Sequence, residues 1–295
     1  MQQKRNLFEE LKHQISHGTM TNRLVILNIL VFLLIHLLFA FNKILGVETF
    51  EIIVQNLFTL EATIYGVLAM PWGLLTNIFA HIELMHLFSN MIFLYFAGNL
   101  FERYFNSRML LITYLFGGIL GGLAEVMSAT FIFPEGFHYV LGASGSVMAI
   151  FAALAFYSPN TKIYLFGMVP VRLFILALFF LATDLIAIGD TTDHVAHFAH
   201  LGGALFGLFA MQNLNTPKNI LSIIDSRYTK IERWLKGLRT SRQKTRTVKT
   251  DEEYNFAKKT RQDKTDRILD KISRSGYDSL NKEEKDFLFN QSKNG

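Results

Sequence analysis

The sequence predicts an all-α fold, that of a polytopic membrane protein, on three observations. Of the 295 residues, 51% are hydrophobic and only 18% are charged, and the charges gather toward the two ends. Apolar stretches of about 20 residues, the length a helix needs to cross a hydrocarbon core about 30 Å thick, recur from Thr21 to Leu214. The connections between them alternate in charge along the chain.

About six spans are expected: Asn22 to Phe41, Leu84 to Phe101, Met109 to Phe131, Ser144 to Tyr157, Ile163 to Ile188 and Val195 to Met211. Lys4, Arg5 and Lys12 precede the first one as in a signal peptide, but no small-residue cleavage site follows it, so it is read as a retained helix. Lys4, Arg5, Lys12 and Arg23, then Arg103 and Arg108, then Lys162 and Arg172 mark every second connection. The others carry mostly acids: Glu48, Glu51 and Glu61, then Glu135, then Asp190 and Asp193. Because basic loops stay inside, this pattern expects both termini in the cytoplasm of a bacterial inner (cell) membrane.

The domain expectation is a cytoplasmic segment 1–20, a six-helix core 21–214 and a charged cytoplasmic tail 215–295. Between the first two spans, the connection from Asn42 to Ile82 is amphipathic and holds Trp72, which suits the membrane interface. After Asn215 a basic run extends from Lys218 to Lys249, fit to lie against anionic lipid. Asn281 and Glu284 have the spacing of a capping box that opens a short helix, so the tail is either a small helical hairpin or a mostly disordered charged segment. The net charge of +5 follows from basic helix ends, so no nucleic-acid partner is expected. The absence of cysteine excludes disulfides, thiol catalysis and thiolate metal sites.

Polar residues inside spans are costly and each asks for a reason. His86 and Asn90 are four residues apart and share a helix face, where they could either stabilise an oxyanion or join helices by hydrogen bonds. In Gly142-Ala143-Ser144-Gly145 a serine opens a span. From Ser144 to Tyr157 a helix covers only about 21 Å, so its N-terminus starts below the surface and turns its N–H groups into a recess. Gly203 and Gly207 make a small-residue face on the last span, and Gly145, Ala149 and Ala153 a matching one on the fourth. Pressing these together brings His200 near Ser144, and a serine needs such a base to become a nucleophile. Contact along this face selects His200 over His194 and His197.

His81, His86 and Asn90, then Glu102, then Gly142 to Gly145, then Ala199-His200-Leu-Gly-Gly with Gly207 resemble the rhomboid family of intramembrane proteases over Pro71 to Ala210. The resemblance implies a six-helix core open to the outer side and a serine–histidine dyad with no third carboxylate, no cofactor and no metal. Ser144 is then the nucleophile, His200 the general base, and His86, Asn90 and the Ser144 N–H the oxyanion hole. His81 takes a structural or water-organising place, and Glu102 bonds the loop before the third span. The implied partners are transmembrane protein substrates and the lipid bilayer.

Two departures stand out. Met148 replaces the aromatic that many members carry four residues after the serine, and can pack its thioether on the imidazole edge. Asn106 replaces a turn glycine and tolerates a left-handed backbone. Two other functions compete: a metal site or transporter built on His81, His86, His194, His197 and His200, and a non-catalytic binder of membrane helices.

Overall fold

A computed structural model describes residues 6–133, 139–165, 168–188, 195–214, 216–240 and 251–292. His194, Glu135, Asp190, Asp193 and Asn215 lie outside the described residues, as do Arg242, Lys244, Arg246 and Lys249 of the basic run. The chain is a polytopic all-α membrane protein. Its described residues fall into two compact units, Met1–Ile231 and Glu232–Gly295.

The first unit begins with α1 (Leu7–His17), opened by a capping box of Asn6 and Glu9, and continues into α2 (Met20–Leu45). Gly46, with φ of 64°, ends α2 in the left-handed conformation common after helices. The connection that follows is structured: α3 (Thr49–Phe58), a short strand β1 (Leu60–Glu61), α4 (Ile64–Ala69), α5 (Gly73–Thr76) and a 3₁₀ turn over Asn77–Phe79. Trp72 donates its indole N–H to the Asn56 carbonyl at 2.8 Å, tying this layer together, while Ile52, Leu57, Tyr65 and Leu68 stay exposed. An apolar outer surface of this kind suits a bilayer interface.

Then come α6 (Leu84–Tyr104), α7 (Ser107–Phe131) and the strand β2 (Tyr139–Val140), which pairs antiparallel with β1. The remaining apolar helices are α8 (Ser144–Tyr157), α9 (Leu173–Ala187) and α10 (His197–Ala210). Whereas α2, α6 and α7 are long and apolar enough to span a membrane, α8 has 14 residues, α9 15 and α10 14. A helix of that size reaches about 21 Å. All of Gly145 to Ala155 on α8 is buried, which a helix apolar on every side requires. It packs chiefly between α7 and α10. α9 is the opposite case: Phe174, Ile175, Leu178, Phe179, Leu185 and Ile186 are exposed, and the buried residues are Leu173, Leu176 and Asp184.

The structure corrects the fifth span. Instead of a helix from Ile163, residues Lys162–Leu165 and Val169–Arg172 form an antiparallel hairpin, β3 and β4, and α9 begins only at Leu173. Pro170 explains the difference, since it has no N–H to give a helix and pushes Val169 toward extended backbone. Ile163, Val169 and Val171 are β-branched and Tyr164 is aromatic, residue types that suit strands. Asn106 is a second correction: its φ of −110° and ψ of 162° are extended, and its side chain caps α7 by accepting the Met109 N–H at 2.9 Å.

The loops sort into two ends. At one end Glu102 accepts the N–H groups of Met20 and Thr21, both at 3.0 Å, and the hydroxyls of Thr21 and Ser107, both at 2.6 Å. The expected bond to the loop before α7 is therefore joined by a cap on the start of α2, where a carboxylate complements the helix dipole. Tyr104 meets Thr161 at the same end, at 2.9 Å. The β1–β2 pair brings the α2–α6 and α7–α8 connections together at the opposite end. After α10, Asn219 donates to the carbonyls of Ala210 (2.7 Å) and Gln212 (2.8 Å), so the start of α11 (Ile220–Thr240) belongs to the core, with Leu221 fully buried.

The second unit holds α12 (Asp251–Ser275), a 3₁₀ turn at Tyr277–Ser279 and α13 (Lys282–Ser292). Asn281 and Glu284 make both bonds of the expected capping box, at 2.9 and 2.8 Å. Lys271 pairs with Glu284 at 2.9 Å across the two helices, over the buried Ile268 and Leu280.

Removing a carboxylate that accepts from two backbone N–H groups and two hydroxyls leaves partly buried donors unsatisfied. Glu102→Ala is expected to cost about 1–3 kcal/mol. This is measured as a lower Tm of the purified protein in detergent, against Lys43→Ala as an exposed control; equal melting of the two variants refutes the capping role.

Candidate active site

Ser144 is the first residue of α8, and the backbone before it is shaped by two contacts. Gly142 has φ of 128°, which L side chains rarely adopt, and a Cβ there would lie 2.7 Å from His86 Cε1. Glycine thus lets the His86 ring rest against the main chain just ahead of Ser144. The Gly142 N–H donates to the Asn77 carbonyl at 2.9 Å and the Ala143 N–H to His81 Nε2 at 3.3 Å. Asn90 Nδ2 also lies 3.2 Å from His81 Nε2. Two donors converging on one ring nitrogen make it an acceptor, so His81 carries its proton on Nδ1. His81 is fully buried and ties this loop to α6, a structural place in keeping with its expected role.

Asn90 keeps a second amide N–H beyond the one directed at His81. The His81 and His86 rings meet edge to face at 5.1 Å, so His86 is held from two sides, by His81 and by Gly142.

The α8 and α10 backbones touch. A Cβ on Gly203 would overlap the Gly145 carbonyl, one on Gly207 the Ala149 carbonyl, and one on Gly145 would sit 3.0 Å from the Ala199 carbonyl. The matching small faces therefore meet, and the contact brings the first turns of both helices to one cavity of about 1000 Å³. His86, Asn90, Gly142, Ser144, Gly145, Met148 and His200 all line it. α8 has no side-chain cap, so its first N–H groups face this recess without an internal acceptor. Ser144 Oγ makes no hydrogen bond among the described residues, and in this conformation none joins it to His200.

One expectation fails here. The dyad was expected without a carboxylate, yet Asp184 Oδ1 lies 2.8 Å from His200 Nδ1 and 2.9 Å from His197 Nδ1. A carboxylate accepts, so both rings donate from Nδ1, and His200 Nε2 keeps a free lone pair. The sequence did carry the signal: Asp184 is the one charged residue in the 15 residues of α9, and its burial in an otherwise apolar helix demands a partner. Glu125 carries the same signal. It is buried on α7, lines the cavity and accepts the Ala199 N–H at 3.0 Å, capping α10, which has no cap of its own.

The competing metal constellation is also redrawn. Among the described residues, the group whose ligand atoms all lie within 4.8 Å of one another is Asp184, His197 and His200. His81 and His86 stand apart from it, on the wall formed by the approach to α6 and its first turn.

Residues 68–214 match the family model described as Rhomboid domain, and residues 248–294 match a family of unknown function, DUF6576. Among similar proteins, the RHOMBOID-like protein 12, mitochondrial, of Arabidopsis thaliana is 34% identical over 149 residues, covering 46% of this chain and 44% of that protein. Rhomboid protease GluP of Bacillus subtilis (strain 168) is 31% identical over 150 residues, covering 50% of this chain and 27% of that protein. The chain thus spans less than half the length of either relative. Every residue built into the cavity falls within the matched region, and the chain belongs to the rhomboid family.

Proposed function

We propose that this chain is an intramembrane serine endopeptidase that cuts transmembrane segments of other membrane proteins near the outer face. The observation that carries it is the meeting of Ser144 and His200 at one cavity, each in the first turn of a short helix, with His200 oriented by Asp184. The relative named as a rhomboid protease supports the reaction class.

In this mechanism Ser144 Oγ attacks the scissile carbonyl carbon and its proton passes to His200 Nε2. Substrate binding closes the Ser144–His200 hydrogen bond, as catalytic contacts often tighten only in the complex. The tetrahedral oxyanion is met by the Ser144 N–H and by His86 and Asn90, which line the same cavity. The C–N bond then breaks, and His200 returns the proton to the leaving amine. Water, deprotonated by the same ring, releases the acyl group from Ser144. Asp184 holds the Nδ1–H tautomer that leaves Nε2 free to act, and stabilises the imidazolium formed in between. Met148, buried at the cavity wall, packs where the family often has an aromatic.

The end holding Arg103, Arg108, Lys162 and Arg172 faces the cytoplasm under the positive-inside rule, with both termini on that side of a bacterial inner membrane. The Ser144 end of α8 then opens outward. The domain assignment keeps the membrane core at 21–214 as the proteolytic part and gives the segments 1–20 and 215–295 accessory roles.

Incubating purified protein with a model transmembrane substrate tests this reading. Ser144→Ala and His200→Ala are expected to abolish cleavage, and a fluorophosphonate should label Ser144 in the wild type but not in His200→Ala. His86→Ala and Asn90→Ala should each lower turnover by about 10²–10³. A dead His197→Ala beside an active His200→Ala would overturn the choice of base. Activity should survive EDTA, since nothing in this chemistry needs a metal; loss in EDTA with rescue by zinc would favour the metal function.

Asp184→Asn separates a triad-like site from a bare dyad. It is expected to reduce kcat by about 10²-fold or more with little change in KM, because the amide no longer enforces the Nδ1–H tautomer. Wild-type kcat in Asp184→Asn would show that the carboxylate serves only helix packing.

A further inference from the structure

We propose that Asp184, His197 and His200 form a binding site for a borderline transition-metal ion of the zinc type, and that occupancy of this site switches the protease off. The proposal rests on the assignment of His200 as base and adds a ligand to that same group. It starts from a feature the hydrolytic chemistry does not use. Two imidazoles converge on a single carboxylate oxygen, at 2.8 and 2.9 Å, although orienting one base needs only one of them.

The three ligand atoms lie within 4.8 Å of one another. A tetrahedral zinc ion with bonds of about 2.0–2.1 Å wants its ligands roughly 3.3 Å apart, which small side-chain rotations about the present positions supply. Two nitrogens and one carboxylate oxygen are a donor set for zinc, with a fourth position left to water, and not for magnesium, which prefers oxygen throughout. The side chains are 8% exposed for Asp184, 9% for His197 and 17% for His200, and all three line the cavity. The ion thus has a route in and a preformed pair of ring orientations to meet.

The inhibition follows from where the protons go. Without metal, each ring is the neutral Nδ1–H tautomer, and His200 Nε2 offers its lone pair to Ser144. To ligate through Nδ1, each ring must give up that proton, and a neutral imidazole then carries its proton on Nε2. No proton need leave the protein, because each moves from one ring nitrogen to the other through water. His200 then presents an N–H to Ser144 where a base needs a lone pair, and the serine is no longer activated.

The test uses the full chain. Cleavage of the model substrate by EDTA-treated protein is followed while buffered free Zn²⁺ is raised through the micromolar range, with Mg²⁺ as the control ion. Zinc is expected to lower the rate by about tenfold or more, reversibly on adding EDTA, while Mg²⁺ has no effect. His197→Ala and His197→Gln, each read against its own metal-free rate, should lose at least about tenfold of the zinc sensitivity. Binding is read separately in Ser144→Ala, which keeps all three ligands. Co²⁺ added to it should give the visible absorption of a tetrahedral site at one ion per chain, and Ser144→Ala with His197→Ala should not. Zinc inhibition that is absent, or equally strong in both His197 variants, overturns the proposal, as does Co²⁺ absorption that survives loss of His197. A chain that binds Co²⁺ through His197 but never cleaves substrate overturns the protease assignment and the switching role, and leaves the metal site standing.

Discussion

The backbone contact between α8 and α10 is the constraint on which the site depends. In a bilayer two helices gain little by burying apolar side chains from each other, so their approach relies on close van der Waals packing. Gly203 against the Gly145 carbonyl and Gly207 against the Ala149 carbonyl allow that packing. Any side chain at these glycines would hold the helices apart and carry His200 away from Ser144. Both helices are also short, and this lets their first turns end inside the protein, at a cavity, instead of at a membrane surface.

Ending helices inside the protein creates a second demand, because their terminal N–H groups need partners where water is scarce. The chain meets it largely with residues distant in sequence. Glu102 caps α2, Glu125 caps α10, and His81 accepts the Ala143 N–H ahead of α8. The first turn of α8 has no side-chain cap, and it begins at Ser144 itself. Uncapped N–H groups at a helix start beside a serine suit negative charge. Asp184 follows the same economy of partners, since one buried carboxylate on the thinly packed α9 holds two histidines of α10 at once. α9 exposes most of its large apolar side chains, so the element that orients His200 is itself thinly packed by the protein.

Much of this was legible in the sequence, for reasons of period and local chemistry. Span length and composition gave α2, α6, α7 and α8, because bilayer thickness imposes a length that a single chain must display. Local pairs were equally readable: Asn281 with Glu284, and the small-residue faces on the fourth and sixth spans, all depend on fixed spacings along a helix. The fifth span differs because hydropathy alone does not distinguish an apolar hairpin from the start of a helix, whereas Pro170 does.

What only the tertiary structure decided is which polar groups meet across the chain. Asp184 stands 16 residues from His200, Glu125 74 from Ala199, and Glu102 82 from Met20, and no periodicity links such positions. A buried carboxylate announces in the sequence that it must have a partner, since an isolated charge in an apolar surrounding is too costly to keep. Which donor satisfies it depends on how helices are arranged around α8, and that arrangement is set by packing among elements that the sequence describes only one at a time.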